Sequence, residues 1–351
     1  MEHDNQVTNF HFELSADLLN KEELDLIARM RPGLAQFEIG VQSTNPRTLQ
    51  AIHRTAPFEK IAENVRSIAA HHNVHLHLDL IAGLPYEDYQ SFARSFDAVY
   101  ALRPQEFQLG FLKVLRGSEM HRRAEEYGIL YSPQPPYEVL QTRWLTCEEL
   151  LRLKDVEEML EVYYNSRQFD TTIELLLRGA ASPFVLYEEL ADHYILREGG
   201  TAQRSYTRLQ RAELLREFAL TRGDRSVSDA SLDLLDSMDS MNPIDPAAEK
   251  NGSDQWQQQV ETSLLHDLYL RENLKTRPAW AMDLSIWKET ITAFYKKEEK
   301  EHTYLPDYPP CTWKQLMGMT HLERTAAGHW VLYDYRRRDP LTYAARSVEI
   351  E

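Results

Sequence analysis

The chain has 351 residues, 42% of them hydrophobic and 27% charged, with 39 Lys and Arg against 55 Asp and Glu for a net charge of −16. That length buries a sizeable core and predicts about two domains at ~150 residues each, and the acidic balance argues against a protein that tracks nucleic-acid phosphates. No apolar run approaches the ~20 residues of a membrane helix and the first six residues lack the basic and apolar regions of a secretory signal, so a cytoplasmic protein is expected.

From the N-terminus one unit recurs: a short apolar strand, a polar loop at its carboxyl end, then an amphipathic helix. The strands read Asn9 to Leu14, Gln36 to Gln42, Val74 to Leu80 and Glu106 to Leu112, with roughly 30 residues between starts, the length of a βαβ crossover. This is the pattern of a parallel α/β sheet or barrel, whose chemistry sits on the loops after the strands. Those rims carry Glu13, Gln42, Asp79 and Lys113. Between strands, Asn20 with Glu23 forms a capping pair and Arg31-Pro-Gly33 ends that helix. Asn45-Pro46 opens the next helix, with proline where its missing N–H costs nothing. Phe58 to His71 then puts Ile61, Val65 and Ile68 on one face.

From Tyr137 to about Leu220 the periodicity is helical, with Leu150, Leu153, Val156, Met159 and Leu160 as one apolar stripe. Thr221 to Asp254, rich in turn formers and acids, reads as a linker in which Leu232, Leu234 and Leu235 make one short helix. Beyond it, Trp256, Trp280, Trp287, Trp313 and Trp330 are five of the six tryptophans, a density that fits a second packed unit or a lid over an aromatic cleft. Trp330 to Tyr335 is the one further strand expected.

Phe37-Glu-Ile-Gly-Val-Gln-Ser-Thr-Asn-Pro46, Leu78-Asp-Leu-Ile-Ala-Gly-Leu-Pro85 and Leu109-Gly-Phe-Leu-Lys-Val-Leu-Arg-Gly117 resemble the middle and late strands of radical S-adenosylmethionine (SAM) enzymes. The closest resemblance is to the branch with an N-terminal cobalamin-binding domain and a C-terminal extension of unknown function. It is close over about residues 9 to 165, and Leu264 to Ala281 and Trp330 to Arg346 look like that extension. The resemblance implies an α/β fold: a partial parallel (β/α) barrel over residues 1–135, a helical extension over 136–220, a linker over 221–255 and the rest of the extension domain over 256–351. It also implies S-adenosylmethionine, a [4Fe-4S] cluster and cobalamin as cofactors of the full enzyme, and an unknown small-molecule or peptide substrate.

One departure is plain. The family's cluster sits on Cys-x-x-x-Cys-x-x-Cys because iron–sulfur clusters require thiolates, whereas this chain has two cysteines, Cys147 and Cys311. They are expected to be free thiols in a reducing compartment, with a redox role open. The expectation that follows is an N-terminally truncated chain beginning at the third barrel strand, with a possible partner in an upstream-encoded N-terminal half.

Alternate residues of a barrel strand point inward, so Asp79 shares a face with His75 and His77, and Glu38 with Gly40 and Gln42. By resemblance Asp79 and Gln42 contact the ribose and methionine ends of S-adenosylmethionine, Arg54 pairs with the methionine carboxylate as a guanidinium fork can, and Glu13 adds a polar contact. Gly83 lets the backbone approach a purine, and Lys113 and Arg116 meet an anionic substrate. Each has a plainer alternative: Asp79 caps the Gly83–Pro85 loop, Glu13 caps the following helix, Gly83 is a turn glycine, and Arg54, Lys113 and Arg116 are solvated surface charges. Two rival functions stand beside this one. His75, His77 and Asp79 on one strand face have the residue types of a metal-dependent hydrolase, although later strands offer few further ligands. A non-catalytic binding or assembly module would also suit the missing cysteines and the long helical extension.

Overall fold

The computed structural model describes residues 4–54, 56–198, 206–237 and 246–350, with the backbone alone at 198, 224–237 and 246–251. It divides into two compact units, residues 1–166 with 180–202, and residues 167–179 with 203–351.

The first unit is built on four parallel strands in chain order, β1 (Phe10–Glu13), β2 (Ala35–Gln42), β3 (His75–Ala82) and β4 (Glu106–Phe111). Their connections hold α1 (Lys21–Ile27), α2 (Pro46–Ala51), α3 (Phe58–Ala69) and α4 (Tyr89–Tyr100). The expected caps are in place: Asn20 and Glu23 bond each other's backbone N–H, and Asn45 caps α2 with Pro46 in its first turn. The period-2 pattern of β2 and β3 sorts the two faces of the sheet. Phe37, Ile39 and Val41 with Leu76, Leu78 and Leu80 are buried, and at β4 the Phe107 ring lies 5.0 Å from Phe96 of α4. The opposite face is polar and only partly covered.

After β4 come α5 (Glu119–Arg122), the short hairpin β5 (Leu130–Tyr131) and β6 (Val139–Gln141), and α6 (Cys147–Leu160). All five apolar residues of the α6 stripe are buried. A π-turn, Glu161–Asn165, follows and aims the Asn165 amide at β4, where it accepts from Phe107 N–H and donates to Phe107 O, both at 2.9 Å. One side chain thus supplies the donor and acceptor that a neighbouring strand would.

At the other edge, among the described residues, no strand pairs beyond β1. Phe10 and Phe12 stack there at 6.2 Å and are 48% and 49% exposed. An open edge with apolar flanks recruits other strands. Self-association of the isolated chain at about micromolar concentration is therefore expected, and Phe12→Lys should suppress it in light scattering. A monodisperse wild-type monomer would refute this.

The second unit contains α7 (Asp170–Leu177), α9 (Arg208–Ser237), α10 (Pro246–Arg271), α11 (Lys288–Glu301), α12 (Trp313–Met319) and an antiparallel meander of β7 (Thr320–Arg324), β8 (Trp330–Arg338) and β9 (Ala345–Ile350); α8 (Pro183–Glu198) belongs to the first unit. Strand β8 lies between two clusters: Val331 and Tyr333 pack with Leu265 and Tyr269, and Leu332 with Tyr295, Leu305, Leu316 and Leu322. The Asp267 carboxylate of α10 accepts from the N–H groups of Thr171 and Thr172, at 2.9 and 2.8 Å, and from the Thr172 hydroxyl at 2.7 Å. It satisfies the free donors at the start of α7, and burial pushes its carboxyl up to about 6.

Three sequence expectations change. The linker placed over 221–255 is helical at Thr221–Ser237 and from Pro246 on, its remaining residues 238–245 lying outside the described residues; polar, acid-rich sequence is as compatible with a solvated helix as with a loop. The chain crosses between the units three times, at 166/167, 179/180 and 202/203, because α8 packs with the sheet unit, as in the 5.5 Å contact of Phe96 with Phe184. Strands β5, β6, β7 and β9 were not foreseen. Among the described residues no helix is long and apolar enough to cross a membrane.

Candidate functional site

The polar face of the sheet is laid out in rungs. Glu13, Glu38, His77 and Glu106 are in register across the four strands, and Gly40, Asp79 and Gln108 form the next rung toward the carboxyl ends. Residues in register on parallel strands point to the same side, so this face carries a row of ionisable and amide groups that is half-exposed where a packed core would be apolar.

At the carboxyl end of β2 the register shifts between Gly40 and Gln42, and Gln42 takes a left-handed φ of 67°, uncommon for a side chain of that size. The bulge turns Gln42 back over its neighbour strand. Its backbone N–H donates to Asp79 Oδ1 at 3.3 Å, and its amide Nε2 donates to Oδ1 at 3.1 Å and Oδ2 at 3.4 Å. Arg54, just past α2, reaches in with Nη1 3.4 Å from the Gly40 carbonyl. Gly40 is required for this convergence: a Cβ there would lie 2.6 Å from Gln42 Nε2 and 3.1 Å from Arg54 Nη2. Burial raises the Asp79 pKa, with Glu38 adding to the rise, against the Gln42 backbone N–H and the nearby His77 and Arg54. The result is a partly desolvated carboxylate, an amide and a guanidinium at one strand end, a set able to accept hydroxyls and pair with a carboxylate at once.

The other sequence candidates fall elsewhere. Glu13 is exposed, in register with Glu38 and one rung from Asp79; the cap it was offered as an alternative belongs to Asn20 and Glu23. Asp79 is bonded by Gln42, not by the Gly83–Pro85 loop that was its plainer alternative. Gly83 has φ 90°, and a Cβ there would lie 2.8 Å from Val139 of β6. The left-handed turn and the packing of Val139 in the Cβ direction both call for glycine here. Lys113 bridges Glu138 through its backbone, and the Arg116 guanidinium lies 5.7 Å from the Tyr137 ring. Both basic residues are thus tied to the hairpin segment.

The metal-hydrolase reading is corrected. His77 Nε2 lies 3.1 Å from Gln108 and Nδ1 3.9 Å from Glu106, engaged with β4 and not converging with His75 and Asp79. Among the described residues no three His, Cys, Asp or Glu side chains are grouped to hold a metal ion. The thiols present do not fit a cluster either: Cys147 is exposed in the first unit, Cys311 is half-buried in the second, and the sequence has no third.

Sequence reading missed two features beside the rim. One is a stack of rings and cations in which Arg47 covers Tyr86 at 4.1 Å, Tyr86 packs on Trp144 and Tyr127 at 4.6 and 5.9 Å, and Arg123 covers Tyr127 at 4.4 Å. The other is Glu87, fully buried and bonded by Ser43 and Ser95. Its signal, an acid three residues after Leu84 in an otherwise apolar turn, is too common to single out.

Residues 2–99 match the radical SAM superfamily. Residues 125–331, more than half of the chain, match the family described as protein of unknown function DUF4080, and the chain belongs to that family. Curated relatives include anaerobic coproporphyrinogen III oxidase 1 of Cereibacter sphaeroides, 29% identical over 96 residues (27% of this chain and 21% of that one). Another is the oxygen-independent coproporphyrinogen-III oxidase-like protein HemZ of Bacillus subtilis, 30% identical over 112 residues (32% and 20%). The matched segment thus spans about a fifth of either relative. The solved coproporphyrinogen III oxidase HemN of Escherichia coli aligns at 21% identity over 43% of this chain and 32% of its own, with a TM-score of 0.32.

Proposed function

We propose that the carboxyl end of β2 and β3 is the S-adenosylmethionine-binding rim of a radical SAM enzyme of the cobalamin-binding type, with the family domain selecting a small-molecule or peptide substrate. The observation that carries this reading is the convergence of Gln42, Arg54 and Asp79 around Gly40. In it Asp79 accepts the ribose hydroxyls, Gln42 spans the nucleoside and methionine parts, Arg54 pairs with the methionine carboxylate, and Glu13 lines the same face. Lys113 and Arg116 serve the substrate side. The cluster and the cobalamin domain belong to polypeptide outside the 351 residues, since this chain lacks the thiolates.

Titration of the chain with S-adenosylmethionine tests this. Asp79→Ala, Gln42→Ala and Arg54→Ala should each weaken binding by about 1–3 kcal/mol, the cost of losing a hydrogen bond that involves a charge or of leaving its partner unpaired. Lys113→Ala should bind as wild type does. Equal affinity in all four variants would overturn the assignment.

A further inference from the structure

Glu87 follows β3 and is 0% exposed, yet nothing in the proposed cofactor site uses it. Both bonds to its carboxyl reach one oxygen, Oε1, which accepts from Ser43 Oγ at 2.7 Å and Ser95 Oγ at 2.9 Å. Among the described residues Oε2 has no partner. The two serines pass the connection on. Asn45 N–H donates to Ser43 Oγ at 3.0 Å, and Thr44 N–H donates to Ser95 Oγ at 3.1 Å. The Asn45 amide adds bonds to Tyr86 O and Ser91 Oγ, each 3.0 Å. Three consecutive residues after β2 are therefore fastened to the loop after β3 and to α4, and the links through Ser43 and Ser95 meet at one carboxyl oxygen.

The residue immediately before them is Gln42, in its left-handed conformation. A non-glycine residue stays in that region only where its surroundings hold it. Gln42 has such support on one side in Asp79; on the other side lies the Ser43–Asn45 segment.

We propose that Glu87 is a positioning residue: through Ser43 and Ser95 it holds the loop after β2, and thereby keeps Gln42 turned so that its amide meets Asp79. What the rim then binds rests on the S-adenosylmethionine reading; the positioning does not.

The arrangement is sensitive to pH. Burial pushes the Glu87 carboxyl up to about 7 against the two serine hydrogen bonds, with neighbouring Asp88 raising it and Arg94 lowering it. A carboxyl raised above its unfolded value favours the neutral form, so its contribution to stability is complete only below the ordinary carboxylate range and is lost as pH rises from there through about 7.

The test measures backbone amide exchange at Thr44 and Asn45 in the full chain, and S-adenosylmethionine affinity from about pH 6 to about pH 8.5, for wild type, Glu87→Ala, Ser95→Ala, Ser43→Ala and Glu87→Gln. Glu87→Ala, Ser95→Ala and Ser43→Ala should speed exchange and weaken binding by about fivefold, the scale of one lost hydrogen bond. Glu87→Gln keeps a neutral acceptor at the Oε1 position, so its affinity, and its exchange relative to the intrinsic rate at each pH, should match wild type at about pH 6 and should lack the change that wild type shows on passing through about 7. Should Glu87→Ala fail to fold, the serine and glutamine variants decide. Exchange unchanged in the serine variants, or a pH profile in Glu87→Gln identical to wild type, would overturn the proposal. A wild-type chain that binds no S-adenosylmethionine would overturn the cofactor reading alone, and the exchange rates would still decide the positioning.

Discussion

Arg277→Met is expected to lower the stability of the C-terminal unit by about 3–5 kcal/mol. Arg277 grips Glu323 with both terminal nitrogens, at 2.5 and 3.0 Å, and Glu323 on β7 is 3% exposed. His321 Nε2 lies 2.8 Å from the same carboxylate, and its ring stacks on Tyr269 at 3.6 Å. Removing the guanidinium leaves a buried carboxylate with one partner fewer. The double variant Arg277→Met, Glu323→Leu should regain most of the loss, since an apolar pair of similar volume carries no unpaired charge. Urea unfolding followed by tryptophan fluorescence reads both. A loss in the single variant below about 1 kcal/mol would show that the pair behaves as a surface salt bridge. The pH dependence has a definite sign. Burial pushes the Glu323 carboxyl up, but the bonds from His321 and Arg277 outweigh it and hold the pKa below the ordinary value, while burial lowers the His321 pKa against Glu323. Both groups bind protons less readily folded than unfolded. Wild-type stability should therefore fall as pH drops below the ordinary histidine and then carboxylate ranges, and the double variant should lose the carboxylate part of that fall.

The second large effect is all-or-none. Anaerobic reconstitution of the chain with iron and sulfide should leave no stoichiometric [4Fe-4S] cluster and no cleavage of S-adenosylmethionine, because its two cysteines lie in different units. Iron analysis, with about four irons expected per cluster, and the charge-transfer absorbance check it. A full complement of iron that survives desalting would mean ligands other than the expected thiolate triad. Supplying a polypeptide that carries that triad should then restore the cluster if the proposed division of the enzyme is right.

What was legible in the sequence follows from how strongly burial shapes pattern. Strands β2 and β3 alternate because one face meets helices and the other a polar space, so Phe37, Ile39 and Val41 announce themselves, and the α6 stripe does the same at helical spacing. Gln42 ends β2 as the sequence suggests, whereas β3 runs three residues past Asp79 to Ala82. Strand β7 was not, since Thr320-His-Leu-Glu-Arg324 reads as polar until Arg277 and His321 are seen to neutralise the buried Glu323. The helical turns at Thr221–Ser237 and from Pro246 were read as a linker with one short helix because turn formers and acids there interrupt any apolar period. The packing of Val139 in the Cβ direction of Gly83, 56 positions earlier in the sequence, carries no local mark either. Glu87 depends on Ser43 and Ser95, whose meeting is a product of the crossover and leaves no local trace.

The Asn165 amide on β4 gives the sheet a polarity of growth. Where a side chain already answers both hydrogen-bonding groups of Phe107, an incoming strand would first have to expel it, and the part-buried Asn165 amide would lose both of those partners. At β1 an incoming strand displaces only water. Additions to this sheet, whether by a second copy or by another polypeptide, are thereby directed to one side, and the π-turn that widens the end of α6 is what makes the sheet asymmetric.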